Sequence, residues 1–309
     1  MKRNYFAMAS WSLLAVVLMA LAAFYLANAS QPGSKIEGCP VGCTRGPARH
    51  EGPLQVVSLN MLHGFPTFQD LPLRVKLITA EISRLDADVV LLQEVPWTWK
   101  TGNVAERIAA QLGYNHLYYR ANGNRHLILF EEGEAILSRF PLKDPVSTVL
   151  KPRVGWFESR VVLGATAVTP WGDVQVFVTH LTDKASQSNL PQAEQLLEYV
   201  NSFPGKIKLV AGDFNAGEDS PQVRKLASQW VDTYRNTHPW QPGLTCCIDD
   251  RTASSEPLEK RIDYIFLTGS SPQPWKTLMV QNVFDHPFRV GSDWQWVSDH
   301  VGLILELEP

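Results

Sequence analysis

Cysteine is scarce in this chain: four in 309 residues, at Cys39, Cys43, Cys246 and Cys247. Four are too few for a fold built on a disulfide framework. No His stands at ligand spacing beside either pair, which argues against a structural zinc site. An excess of either charge is also missing, with 28 Lys+Arg against 31 Asp+Glu and a formal net charge of −3. No repeat of fixed period and no low-complexity tract occurs, and the 20 Gly follow no three-residue period, so a collagen-like rod is excluded. Disorder is excluded by what is present, since 45% of the residues are hydrophobic.

The near-neutral total conceals a contrast. Residues 1–53 carry five basic residues (Lys2, Arg3, Lys35, Arg45, Arg49) and two acidic ones (Glu37, Glu51), leaving 23 basic and 29 acidic residues in 54–309, a net charge of −6. Such a body lacks the electrostatic footprint of a tight non-specific nucleic-acid binder. It remains compatible with a metal-assisted enzyme acting on phosphates, because a bound divalent cation supplies local positive charge.

Lys2 and Arg3 precede an apolar run from Trp11 to Ala27, interrupted by Ser12, and Ala27-Asn28-Ala29 offers the small residues of a signal-peptidase site. The same stretch from Phe6 to Ala29 is 24 residues broken only by Ser10, Ser12 and Asn28, enough to span a bilayer. Residues 1–29 are therefore expected to be a signal peptide or an N-terminal membrane anchor. Both imply export, to the periplasm, the exterior or the membrane surface. Residues 30–53, rich in Gly and Pro without a hydrophobic period, read as a linker. An even cysteine count in an exported chain favours disulfides, and the expected pairing clamps the linker cysteines to the loop around 246–247, because a bond between adjacent cysteines would be strained.

From Leu54 onward, short β-rich runs alternate with helical stretches, which indicates one α/β domain over 54–309. Strands are expected at Leu54–Leu59, Val89–Gln93, Ala135–Ser138, Arg160–Val168, Val174–Thr179, Ile207–Ala211, Arg261–Leu267 and Val301–Leu307. Helices are expected at Leu73–Leu85, Ala105–Leu112, Gln192–Phe203 and Gln222–Gln229. Polar residues recur where these strands end: Asn60, Glu94, His180, Asp213 with Asn215, and Asp299-His300 before the last strand; Asp263 is expected inside a strand. Each alone reads as a turn or cap residue. Together they would converge on one rim. Carboxylates and amide oxygens make a hard-oxygen site suited to Mg²⁺ or Mn²⁺, and two His add groups that titrate near neutrality.

The ordered set Ser-Leu-Asn60, Leu-Gln-Glu94, Leu-Ser-Arg139, Thr-His180-Leu, Gly-Asp213-Phe-Asn215, Arg-Ile-Asp263-Tyr and Ser-Asp299-His300 resembles the endonuclease/exonuclease/phosphatase superfamily, the deoxyribonuclease-like fold. The resemblance runs from about Leu54 to Glu308. It implies a four-layer α/β sandwich of two packed, mostly antiparallel sheets flanked by helices. It further implies Glu94 as chief metal ligand with Asp299 and Asn60, and Asp213 with Asn215 positioning water and phosphate. His300 would be oriented by Asp263, and His180 would act as leaving-group acid or phosphate clamp with Glu132 or Glu134 as its carboxylate. Arg139 and Arg160 are implied phosphate or structural partners. Two departures separate the chain from abasic-site endonucleases, which carry an acid where Leu62 stands and Tyr where His180 stands.

The expected function is thus an exported, metal-dependent phosphoester hydrolase, most simply nuclease-like. A phospholipid-headgroup hydrolase is the alternative, and a catalytically silent binding module is least favoured because every expected polar position is filled. Nothing points to a protein partner. The ten Trp bear on the substrate, since Trp97 and Trp99 follow Glu94 while Trp294 and Trp296 precede Asp299. Indoles there, Trp97 and Trp296 foremost, would stack on nucleobases or sit at a lipid interface.

Overall fold

The computed structural model describes residues 2–39, 42–46, 52–155, 157–184, 186–270 and 275–308. One sheet has the order β1 (Glu37–Gly38), β5 (Asn115–Asn124), β6 (Phe130–Ser138), β3 (Val89–Thr98), β2 (Leu54–Asn60), β16 (Gly302–Glu308) and β13 (Lys276–Val283), with β4 (Gly102–Asn103) paired to β3. The second has the order β11 (Val231–Asp232), β12 (Asp263–Thr268), β10 (Lys208–Asp213), β9 (Gly172–His180), β8 (Glu158–Thr169) and β7 (Leu142–Val154). A small hairpin joins β14 (Phe288–Val290) to β15 (Asp293–Gln295). Helices are α1 (Lys2–Asn28), α2 (Leu71–Arg84), α3 (Val104–Leu112), α4 (Ser186–Asn201), α5 (Pro221–Ala227) and α6 (Thr233–Thr237). Only β2/β3 and β9/β10 pair in parallel; the other described pairs are antiparallel.

The strands are apolar on both faces because both faces are covered, and the two-residue period divides their side chains between layers. On β2, Leu54 and Val56 point between the sheets, where they meet Val161, Leu163, Val176 and Leu209 of the opposite sheet. Val57 and Leu59 point outward onto Ile78 and Ile82 of α2 and Ile108 of α3. On the far side, Val210, Phe177, Tyr264 and Phe266 meet Leu196 and Val200 of α4 and Leu226 of α5. The result is the expected four-layer sandwich. Helix α3 begins where Asn103 Oδ1 accepts from the Ala105 and Glu106 amides, at 2.9 and 3.4 Å. It ends at Gly113 in the left-handed region, φ 72°.

All eight expected strands and four expected helices are present, with shifted ends. The strands that escaped the pattern lie mostly at or near sheet edges. β7 and β13 border the sheets, and solvent on one side leaves their sequences polar and without clean alternation. β3 runs on past Gln93 to Thr98, and Asp263 is the first residue of β12 rather than an interior one.

Residues 30–39 and 42–46, read as part of a linker, pack on the body. β1 pairs with β5, and Ile36 and Cys43 lie against the inter-sheet core. The expected disulfide pairing is corrected: the bonds are Cys39–Cys43 and Cys246–Cys247. The physical reason is position, since Cys39 and Cys43 sit at His116 on β5 while Cys246 bridges to Lys260 and His300. Among the described residues, which exclude the side chains of 1–13 and 15, no helix is long and apolar enough to cross a membrane.

Candidate active site

Strand pairing brings the polar strand ends to one edge of the sandwich. Asn60 lies opposite Gln93 on β2/β3, His180 opposite Asp213 on β9/β10, and Asp213 opposite Asp263 on β10/β12. β16 starts beside the end of β2, so Ser298-Asp299-His300 arrive at the same edge. Ser298 Oγ donates to Asn60 O at 2.6 Å. The buried Arg74 guanidinium donates to Met61 O and Val297 O, both at 2.8 Å, and to Leu62 O at 2.9 Å. Those bonds satisfy a buried cation and tie the loop after β2 to the loop before β16.

Two backbone features aim the side chains. Glu94 sits at a register shift between Leu92 and Val95 with φ 54°, a bulge that turns its carboxylate to the edge. Gly212 lets β10 approach β9 closely, since a Cβ there would fall 1.8 Å from Thr179 O. The next residue is Asp213.

The resulting network spans both sheets. Asn60 Nδ2 donates to Glu94 Oε1 at 3.2 Å and to Asp213 Oδ2 at 3.1 Å. Glu94 Oε2 accepts from the His63 amide at 3.1 Å, with the His63 ring 3.5 Å away. His300 Nδ1 is 2.9 Å from Asp263 Oδ2, and its Nε2 is 3.7 Å from Asp213 Oδ2. His180 Nε2 is 2.9 Å from Asn215 Nδ2 and 3.4 Å from Asp213 Oδ2. Asn215 is itself placed by its amide, which donates to Asp213 Oδ1 at 2.8 Å.

The two histidines are held in opposite states. Burial alone would lower the pKa of His300, but Asp263 and Asp213 raise it well above the ordinary imidazole value. His180 is driven well below that value by burial and by the nearby Arg160 and His300. Burial and the Asp263 charge push Asp213 up to about 7, against the opposing pull of His300. Neither Glu132 nor Glu134 joins His180: Glu132 Oε1 accepts from Asn122 Nδ2, while Glu134 Oε2 and His180 Nδ1 have no hydrogen-bond partner. The expected carboxylate partner of His180 is therefore absent from this arrangement.

A cavity of ≈ 540 Å³ opens beside Glu94, lined also by His63, Phe65, Phe130, Glu132 and Arg160. Arg160, on the wall of this cavity, pairs with Glu158 at 3.1 Å. Arg139 lies elsewhere, because Asp86, Asp88 and Tyr114 hold it at another depression beside Gly113. The indoles also depart from expectation. Trp296 is a buried residue packed with Ile248 and Val301, its Nε1 donating to Ala253 O at 3.0 Å. Trp97 lies under the Arg125 guanidinium, 5.1 Å from the ring centre. Phenylalanines take the place expected for tryptophan: Phe65 stacks on Phe130 with centroids 4.6 Å apart. His63 and Phe65 lie in the loop after β2 and Phe130 opens β6, and none of the three carried a sequence signal.

The donor set suits a divalent cation. Glu132 and Glu134 are buried carboxylates whose pKa values are raised by burial and by neighbouring carboxylates, so the edge is short of positive charge. Ligand atoms of Asp213, Asp263 and His300 lie within 4.8 Å of one another. Glu94 and Asn60 add oxygens to the same edge, of the hard type that Mg²⁺ and Mn²⁺ prefer.

The sequence matches the model of the Endonuclease/Exonuclease/phosphatase family over residues 57–300. A solved family protein from Bacteroides thetaiotaomicron superposes with a TM-score of 0.66 at 16% identity, covering 84% of this chain and 98% of that one. Another from Leptotrichia buccalis gives 0.63 at 17% identity, covering 83% and 100%. The D. rerio TDP2 humanized by 14 mutations gives 0.63 at 18%, covering 83% and 99%. No curated protein matches the sequence significantly.

Proposed function

The chain belongs to the endonuclease/exonuclease/phosphatase family, a family generally hydrolytic on phosphoesters, and from that premise we propose that it is a Mg²⁺- or Mn²⁺-dependent phosphodiester hydrolase. The observation that carries this reading is the joining of both sheets' polar ends into one network through Asn60, Glu94 and Asp213. When bound by Glu94, Asp299 and Asn60, the cation would neutralise charge developing on the phosphoryl oxygens.

The chain's own residues supply the rest. Asp213, poised at about 7, accepts a proton from the attacking water near neutral pH. Asn215 orients that water and a phosphate oxygen. His300, kept protonated by Asp263 and Asp213, donates to a non-bridging oxygen through Nε2. Asp263 fixes the ring by its bond to Nδ1. His180 is neutral and lacks a carboxylate on Nδ1, so it serves as a clamp with Asn215 rather than as the leaving-group acid. Arg160 reaches the substrate phosphate from the cavity wall. Export is part of the proposal and is supported by Lys2, Arg3 and the apolar run that follows.

The test is turnover of bis(p-nitrophenyl) phosphate by the folded full chain. Release of p-nitrophenol with Mg²⁺ or Mn²⁺ that stops on chelation is expected. Folded protein that is inactive with either metal would contradict the reading.

A further inference from the structure

Helix α1 ends at the catalytic cavity. Tyr25, Ala29 and Ser30 line the same space as His63, Glu94 and Arg160. The seat is built from buried polar contacts. Ser30, 3% exposed, accepts at Oγ from the Gly123 amide at 3.0 Å and donates to Phe157 O at 2.7 Å. Arg153 Nη2 donates to Ser30 O at 2.5 Å, and Asn124 Nδ2 donates to Asn28 O at 2.9 Å. Helix and mouth are thereby held in one orientation.

Beyond that seat the described side chains of α1 are exposed. Leu18, Met19, Leu21 and Phe24 are 56–63% exposed, and no charged residue stands between Arg3 and Lys35. The apolar surface continues around the cavity: the lining residues Phe65 and Phe157 are about half exposed, as is Leu129, which stands between the lining residues Ile128 and Phe130. An apolar surface of this extent is not stable in water and requires an apolar covering. The charges inside the mouth say what passes through it. Arg160 is the one formal cation among the described lining residues, beside Glu94, Glu132 and Glu158. That net negative mouth takes one phosphate only beside the bound cation of the hydrolase reading, and it lacks the track of basic residues that a polyanion recruits.

We propose that α1 and the Phe65/Leu129/Phe157 rim hold the catalytic mouth against a lipid surface, and that the substrate is an amphiphilic phosphodiester drawn from it. This deepens the hydrolase reading above and rests on it. The headgroup phosphate reaches Arg160 and Glu94 while the alkyl chains remain against Phe65, Phe130 and α1. Water attacks phosphorus as Asp213 takes one of its protons, and the bond to the leaving oxygen breaks; the second proton stays on the phosphomonoester, the leaving oxygen takes a proton from solvent, and Asp213 returns its own to solvent.

The experiment uses the full chain with mixed phosphatidylcholine, phosphatidylglycerol and sphingomyelin vesicles. All four native cysteines are in disulfides, so Leu129→Cys accepts a nitroxide label specifically, and Trp240→Cys at the 94% exposed Trp240 serves as control. Vesicles are expected to raise oxygen contact and lower aqueous-nickel contact at position 129 alone. Hydrolysis of vesicle phosphodiesters should exceed that of their water-soluble glycerophosphodiester counterparts by at least ~10-fold. Leu18→Glu/Leu21→Glu should abolish that advantage and leave bis(p-nitrophenyl) phosphate turnover unchanged. A label that stays in water, or plasmid DNA cleaved in preference to vesicles, would overturn the proposal. A label shielded before vesicles are added would assign the surface to a second copy of the chain and overturn it equally. A lipid-buried label without turnover of any diester would refute the hydrolase reading and leave the lipid-facing surface standing.

Discussion

Asn60 Nδ2 lies 3.1 Å from Asp213 Oδ2, and that bond crosses from one sheet of the sandwich to the other. The same amide donates to Glu94 Oε1 at 3.2 Å, so one side chain spaces two carboxylates that would otherwise repel. The active edge is a product of both sheets rather than of either.

Replacing Asn60 with Ala removes that spacer. A buried acceptor on Asp213 and a part-buried one on Glu94 lose a donor, which costs about 1–3 kcal/mol, and turnover should fall further than stability does. Thermal unfolding beside bis(p-nitrophenyl) phosphate kinetics separates the two effects.

Asp263→Asn removes the charge that orients His300 and raises its pKa. The active form carries protonated His300, so activity is present below the folded pKa and lost as pH rises through it. The alkaline limb of the pH–rate profile should move to lower pH, and the maximal rate should drop by roughly 10²–10⁴-fold. An unmoved limb would remove His300 from the proposed role.

Glu94→Gln should weaken metal binding as well as rate. Mn²⁺ is expected to raise the melting temperature of the wild-type chain and to leave that of the variant nearly unchanged, by ligand linkage. A scan with and without chelator reads this without reference to activity.

Glu131 provides a pH-dependent stability test away from the chemistry. Burial alone would raise its pKa, but bonds from Arg125 and Arg120, at 2.6 and 2.5 Å, hold it below the ordinary carboxylate value. Its contribution is present above the unfolded pKa and lost as pH falls through the depressed folded one. Glu131→Gln should therefore destabilise at pH 7 and progressively less toward strongly acidic pH, by denaturant melts.

Arg139→Gln should lower stability through loss of its Asp86 and Asp88 contacts, while kcat/KM stays within ~2-fold, as for other changes remote from a site. A large catalytic loss would restore Arg139 to the substrate.

The site residues on strand ends were legible because an apolar run followed by Asn, Asp or His marks a strand meeting an edge. Asn60, His180 and Asp213 are each the last residue of their strand. Glu94 was legible as a residue but not as a bulge, since β3 continues past it with Val95 and Trp97 and only the register shift shows the turn. The tryptophans misled because nearness in sequence to Glu94 and Asp299 is not nearness in space. The indole of Trp296 points into a core of its own, while Phe65 and Phe130, 65 positions apart, stack at the mouth. His63 depends on the loop after β2 folding back over Glu94, a tertiary event without local signal.

The central claim is that Asp213, held between Asn60, His180 and His300, is the base of a metal-dependent hydrolysis. Single-turnover rates of bis(p-nitrophenyl) phosphate cleavage with saturating Mn²⁺ in wild type and Asp213→Asn test it most directly. A loss of at least ~100-fold is expected, with the melting temperature of the metal-free variant showing that it remains folded. A variant that cleaves at near wild-type rate would contradict it.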